Sequence, residues 1–207
     1  MIKLSFEVDE NGRIINNKNR GMSLEQEINE TNEYYIENNI ALVHKKATPI
    51  TVVKCNDNKI TEAYFNEKST TDYNGCYEGI YIDFEAKSTI KKASFPLANI
   101  LPNQIEQARN VLKQKGVSFF LVEFSELNRY FVLPSKILLN YIDNTITSSI
   151  PLKFFEEHGY ELIRQLNPPL DYIEILKYHL SDFLEYMRLS ICLPFLVLIL
   201  IMSVSFD

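Results

Sequence analysis

Two carboxylates and a lysine stand at a spacing that suits metal-dependent chemistry. Asp72 precedes Glu85 by 13 residues, and Lys87 follows Glu85 by two. Two carboxylates can hold Mg²⁺, and an ammonium group beside them can stabilise charge on an attacked phosphate. These residue types in this order indicate a candidate site for phosphodiester chemistry.

A strand over residues 80–87 would bring these groups together. Because side chains alternate between the two faces of a strand, Asp83, Glu85 and Lys87 would share one face, and the apolar residues between them would line the other. Asp72 would be delivered by the preceding segment. The sequence therefore predicts a rigid strand as the platform of the site.

Capping, turn and periodicity signals predict the elements around this strand. In chain order they are a helix capped by Ser23 and Gln26, a strand at 40–44, a hairpin of strands 48–53 and 59–65, turns at Asn74-Gly75 and Glu78-Gly79, a helix from Pro102 to Gly116, strands at 117–124 and 129–133, a helix at 134–141, an irregular stretch at 151–167 and a helix from Asp171. Together they predict an α/β fold.

Each candidate residue also has a non-catalytic interpretation. Asp72 could cap a turn through its own backbone. Glu85 and Lys87 could form an exposed ion pair, which contributes only about 0–1 kcal/mol. With Asp83, the three candidate acids of the site fall within fourteen residues and would repel one another unless a cation lies among them.

The segments around the three residues resemble the RecU family of Holliday junction resolvases, which belongs to the PD-(D/E)xK nuclease superfamily. They are 19–22 (NRGM), 29–32 (NETN), 44–49 (HKKATP), 62–65 (EAYF), 69–75 (STTDYNG), 81–87 (YIDFEAK) and 104–106 (QIE). The resemblance covers residues 19 to 178 and implies a restriction-endonuclease-like core, in which helices flank a central mixed sheet. It also implies a protruding β-hairpin stalk at 48–65.

The resemblance implies a role for each site residue. Thr70, Asp72, Glu85 and Gln104 would hold Mg²⁺ or Mn²⁺, with help from the Ala86 carbonyl, and Lys87 would stabilise the transition state. Asp83 would be structural. The implied activity is a structure-selective endodeoxyribonuclease that resolves four-way junctions by paired symmetric nicks. The alternatives are a non-cleaving junction-binding or recombinase-modulating protein and a nuclease that acts on linear duplex.

The expected DNA contacts are basic residues in the first third of the chain. They are Arg20, Lys45, Lys46, Lys54 and Lys59. Residues 44–68 carry five lysines against three acids, a net charge of +2, whereas the whole chain has −6. The overall charge argues against a protein that coats nucleic acid indiscriminately. The implied partners are four-way DNA, a second copy of the chain in a homodimer, and RecA recombinase.

The chain divides into an N-terminal arm at 1–18, a nuclease domain at 19–180 and an apolar tail at 181–207. Residues 190–206 form a run of 17 without a charge, at the lower edge of a membrane-spanning length. The tail could be an anchor, a packed element in a dimer interface, drifted sequence or a local apolar surface, and we favour drift or packing. The start of the chain has no apolar signal region, and three widely spaced cysteines suit free thiols, so we expect a cytoplasmic location.

Overall fold

The computed structural model describes residues 7–8, 14–15, 23–47, 50–56, 59–65 and 70–184. Arg20 and the apolar run at 190–206 lie outside the described residues, as does most of the N-terminal arm. Within the arm, β1 (Glu7–Val8) pairs with β2 (Ile14–Ile15). In the part of the chain that is described, no helix is long and apolar enough to cross a membrane.

A six-stranded mixed sheet with helices on both faces forms the core, so the predicted α/β fold is confirmed. Its strands, in spatial order, are β12 (Tyr160–Leu162), β10 (Arg129–Pro134), β9 (Val117–Phe124), β7 (Ile80–Thr89), β6 (Tyr73–Tyr77) and β3 (Leu42–Lys45). Only β7 and β9 are parallel. The helices are α1 (Leu24–Glu37), α2 (Pro102–Lys113), α3 (Ser135–Asn144), α4 (Leu152–His158) and α5 (Tyr172–Phe183).

The sheet separates two apolar cores, because its strands alternate their side chains between the two faces. Phe84 on β7 and Phe119 on β9 pack with α1 and α5 on one face. The rings of Tyr73, Phe84 and Phe119 stack in sequence, with centroids 4.9 and 4.5 Å apart. Phe120 and Val122 face the other side and pack with α2, α3 and α4. The acids of β7 share this second face.

Helix α1 begins where its sequence predicts. Ser23 is its N-cap, and the Ser23 hydroxyl accepts a hydrogen bond from the Gln26 amide at 3.3 Å. The face formed by Leu24, Ile28 and Tyr35 is buried. Local capping and helical periodicity therefore predict the start and the apolar face of this helix, but not the burial of Glu27, which is 2% exposed and pairs with Arg164 at 2.5 Å.

Two expected turns have different outcomes. Glu78 and Gly79 form the predicted turn with positive φ angles of 48° and 81°, and it joins β6 to β7. The turn predicted at Asn74 and Gly75 is wrong, because both residues lie within β6. A Cβ on Gly75 would lie 2.1 Å from the Leu42 carbonyl oxygen, so glycine serves close strand approach here rather than a turn.

Two further predictions about chain geometry are also wrong. Helix α2 ends at Lys113 and not at Gly116, and the residue after it with a left-handed conformation is Lys115, with φ of 62°, rather than the glycine. The stretch at 151–167 is not irregular, because it contains α4 and β12. Burial of Phe155 and the pairing of β12 with the edge of β10 stabilise these short elements.

The predicted hairpin consists of β4 (Ile50–Asn56) and β5 (Lys59–Phe65). The two strands pair with each other and form a sheet separate from the six-stranded one. Several apolar side chains of the hairpin are exposed to solvent, including Val53, which is 49% exposed, and Tyr64, which is 58% exposed. An antiparallel two-stranded sheet of β8 (Ser94–Pro96) and β11 (Ser149–Pro151) completes the described strands.

Candidate active site

The antiparallel pairing of β6 and β7 brings Asp72 beside Glu85. Tyr73 lies opposite Phe84, so the residue before Tyr73 falls next to the residue after Phe84. The Asp72 carboxylate accepts a hydrogen bond from the Ala86 N–H at 3.1 Å. Two acids that are 13 positions apart in sequence therefore meet on one face of the sheet.

Glu85 is 1% exposed, which excludes the interpretation of a surface acid. Its Oε1 lies 2.6 Å from the Lys87 ammonium and accepts a hydrogen bond from the Gln104 side-chain amide. Its Oε2 is buried and has no hydrogen-bond partner among the described residues. Burial raises the pKa of Glu85 to about 7, and repulsion by Asp72 adds to this effect while Lys87 opposes it.

Gln104 connects helix α2 to the site. It lies in the first turn of the helix, which Pro102 begins, and its amide oxygen accepts a hydrogen bond from the Leu101 N–H at 2.8 Å. Its amide nitrogen therefore faces Glu85. In this orientation Gln104 positions Glu85, and the predicted ligation of a metal by Gln104 would require the amide to turn over.

Asp83 is fully buried two residues before Glu85 and forms the centre of a polar network. Its donors are the Lys46 ammonium at 2.6 Å, the Tyr81 hydroxyl at 2.8 Å, the Gln107 amide at 3.2 Å and the Thr71 hydroxyl at 2.6 Å. This network agrees with a structural role for Asp83. It also places Lys46 against the hydroxyl of Thr70, at 3.1 Å, beside the Asp72 segment.

The other expected DNA-contacting lysines lie apart from this centre. Lys45 forms an ion pair with Glu25 on α1 at 2.5 Å. Lys54 pairs with Glu62 across the hairpin at 2.9 Å, and Lys59 lies at the start of β5. The structure thus divides these residues between the hairpin and the side of α1, and brings only Lys46 to the site.

The sequence analysis missed Gln107, Tyr81 and Thr71 as parts of the site. A signal for Gln107 exists, because it follows Gln104 by three residues and so shares a helix face with it. On that face the two glutamines donate to Glu85 and Asp83 respectively.

The residues present fit a hard divalent cation. Asp72 and Glu85 supply carboxylate oxygens, and the buried Oε2 of Glu85 lacks a partner among the described residues. Oxygen ligands suit Mg²⁺ or Mn²⁺, and Mg²⁺ commonly binds through one or two carboxylates together with water and substrate phosphate. Among the described residues, no group of three or more His, Cys, Asp or Glu side chains is placed so that it could hold a metal ion together.

The mixed sheet presents Asp72 and the strand with Glu85 and Lys87 on one face, the arrangement that the resemblance to PD-(D/E)xK nucleases predicts. The chain belongs to the RecU family: the family model described as "Recombination protein U" matches residues 19–178. The predicted family resemblance is therefore confirmed.

Relatives support this assignment over most of the chain. The Holliday junction resolvase RecU of Lactobacillus acidophilus is 45% identical over 173 residues, which cover 81% of this chain and 82% of the relative. The protein of the same name from Lactiplantibacillus plantarum is 47% identical over 176 residues, covering 81% and 84%. A solved structure of the Holliday junction resolvase Hjc from Archaeoglobus fulgidus aligns with a TM-score of 0.39 and 11% identity, covering 62% of this chain and 90% of that one.

Proposed function

We propose that this protein is a Mg²⁺-dependent, structure-selective endodeoxyribonuclease that resolves four-way (Holliday) DNA junctions by paired symmetric nicks. The observation that carries the proposal is the convergence of Asp72, Glu85 and Lys87, with a buried carboxylate oxygen that has no partner among the described residues. Relatives named Holliday junction resolvase cover about four fifths of the chain and supply the substrate class.

The residues of the site divide the work between holding a cation and stabilising charge. Asp72 and Glu85, with the Ala86 carbonyl, Thr70 and Gln104 beside them, would hold Mg²⁺. When bound, Mg²⁺ supplies Lewis-acid charge that activates water and polarises the scissile phosphate. Lys87 neutralises charge that develops on the phosphate, and a compact ammonium suits this task.

Substrate selection would depend on symmetry and shape. A four-way junction has two-fold symmetry, so two matched nicks require two sites in that relation, and a C₂ homodimer supplies them. The β4–β5 hairpin would enter the branch point, with Lys54 and Lys59 near phosphates. Phosphate contacts and deformation of the branch point would replace base-specific readout. We also propose an association with RecA and a cytoplasmic location.

The test is incubation of the purified protein with a labelled immobile four-way junction, with and without Mg²⁺. We expect paired nicks with Mg²⁺ only. Asp72→Asn should abolish nicking and retain junction binding, because it removes a ligand charge without removing a phosphate contact. Glu30→Gln is the matched control, since Glu30 is an exposed acid on α1, and it should nick at the wild-type rate.

Three results would contradict the proposal in different ways. Nicking by Asp72→Asn at the wild-type rate would remove the metal-site assignment. Junction binding by the wild-type protein without nicking would indicate the non-cleaving junction-binding function. Equal cleavage of a matched linear duplex would indicate a general nuclease on the same fold.

A further inference from the structure

We propose that Lys46 and Asp83 act as a positioning pair for the metal site, and that Lys46 sets the affinity of the site for a divalent cation rather than contacting DNA. The inference rests on the proposed function, because it concerns the same catalytic centre. It assigns Lys46 a role different from the phosphate contact that its basic sequence context predicts.

The hydrogen bonds of Lys46 carry this inference. An ammonium group has three N–H donors, and here its acceptors are the hydroxyls of Thr70 and Thr71, at 3.1 and 2.5 Å, and Asp83, at 2.6 Å. The side chain is 16% exposed. All three donors are thus used within the protein, so a DNA phosphate would have to displace one of these acceptors.

The same lysine also holds the main chain at Asp72. The Lys46 backbone N–H donates to the Asp72 carbonyl oxygen at 2.8 Å. The main chain and the side chain of Lys46 therefore both hydrogen-bond to residues 70–72. On the opposite side, the Asp72 carboxylate accepts from the Ala86 N–H at 3.1 Å. The ligand is therefore fixed from two directions. Outer groups that orient ligands in this way strengthen metal binding.

Asp83 anchors the lysine from inside the protein. The carboxylate is fully buried, and Thr71, Tyr81 and Gln107 donate to it besides Lys46. A buried carboxylate with this many donors remains ordered, because each lost bond would leave an unsatisfied group. Asp83 thus connects β7 and α2 to the segment that carries Asp72.

The neighbouring residue Lys45 provides a matched control. Lys45 is the last residue of β3, and its side chain points away from that of Lys46. It is 45% exposed and pairs with Glu25 on α1 at 2.5 Å. The two lysines therefore carry the same charge and are adjacent in the sequence, but they contact different groups. A role in phosphate binding would suit both, whereas a role in positioning Asp72 suits Lys46 alone.

The experiment compares Lys46→Met, Asp83→Asn, the double variant and Lys45→Met. Mn²⁺ affinity of the DNA-free protein is measured by electron paramagnetic resonance, and the Mg²⁺ concentration that half-saturates single-turnover nicking is measured separately. We expect about 10–100-fold weaker Mn²⁺ binding in the first three variants, as for other outer groups of metal sites. The half-saturating Mg²⁺ concentration should rise in the same variants. In these three variants, junction affinity without divalent cation should stay within about twofold of wild type, because no phosphate contact is lost and counterion release is therefore unchanged.

Lys46→Met leaves Asp83 buried without its cation, so this variant risks poor folding, and the double variant removes both charges to avoid that. Wild-type Mn²⁺ affinity in the folded double variant would overturn the inference. So would a Lys46→Met protein with unchanged Mn²⁺ affinity and a junction-binding salt slope smaller by about 0.9, the mark of one lost phosphate contact. Lys45→Met should leave Mn²⁺ affinity unchanged. A loss of Mn²⁺ affinity as large as that in Lys46→Met would also overturn the inference. If the wild-type protein binds Mn²⁺ but does not nick junctions, the proposed function fails, while the Mn²⁺ comparison still decides the role of Lys46.

Discussion

Replacement of Glu85 by glutamine should stabilise the metal-free protein while it abolishes cleavage. Glu85 is 1% exposed, and burial is the main reason that its pKa rises to about 7 from 4.5. The folded state therefore binds a proton more tightly than the unfolded state does. Stability from this group is fully present below about pH 4.5 and is lost as the pH rises through about 7.

The pKa difference gives the size of the effect. A rise from 4.5 to about 7 corresponds to about 3 kcal/mol of destabilisation once Glu85 is ionised in both states. Between about pH 5.5 and about pH 8, the destabilisation caused by Glu85 should grow by about 2 kcal/mol. In Glu85→Gln, the amide oxygen can accept the bonds from Lys87 and Gln104 without carrying a charge. The variant should therefore exceed wild type in stability by up to about 3 kcal/mol at about pH 8.

Urea unfolding of both proteins in a chelator, across this pH range, tests the reasoning. The stability difference should grow with pH, and Mg²⁺ should reduce it at high pH, because the cation binds the wild-type carboxylate. A Glu85→Gln protein less stable than wild type at about pH 8, or a difference independent of pH, would refute the argument that ionised Glu85 is costly in the empty site. Asp143→Asn is a suitable control, since its carboxylate is exposed and pairs with Arg109.

Three further predictions follow from the geometry. Lys87→Ala should lower the single-turnover nicking rate by about 10²–10³ with little change or a gain in metal affinity, and a fall of less than about threefold would remove Lys87 from the chemistry. Shortening 51–61 to a tight turn should weaken binding to a four-way junction more than to linear duplex in gel shifts across a salt series, and equal losses would make the hairpin a scaffold. Gly75→Ala should destabilise the protein by about 3 kcal/mol in urea unfolding, because the new Cβ would meet the Leu42 carbonyl. Gly79→Ala meets no atom within 4 Å and should cost only about 1 kcal/mol for its positive φ, so equal costs would contradict the close-approach argument.

The sequence predicts the strand of the candidate site well because the necessary information is local. Alternation along β7 suffices to place Glu85 and Lys87 on one face and Phe84 on the other. The capping signal at Ser23 is similarly local. Asp72 lies next to that strand because a short turn joins β6 to β7, so the pairing spans few residues.

The missed features depend on contacts between distant parts of the chain. Lys46 reaches Asp83 only because β3 pairs with β6, and no local pattern specifies this pairing. Helix α4 has seven residues, too few to display helical periodicity, and β12 has three. Burial of Phe155 and pairing with β10 stabilise these short elements, and both are tertiary effects.

The arrangement around β7 explains how two buried acids can occupy one strand beside a third. Each of the two buried acids on β7 contacts one lysine, and also one glutamine from α2. Glu85 contacts Lys87 and Gln104, and Asp83 contacts Lys46 and Gln107. The two environments differ in how completely they satisfy the carboxylate oxygens. Both oxygens of Asp83 accept hydrogen bonds, whereas Oε2 of Glu85 has no partner among the described residues. Because an unsatisfied buried charge is costly, the incomplete acid is the one suited to bind a cation, and the complete acid is suited to hold its surroundings in place.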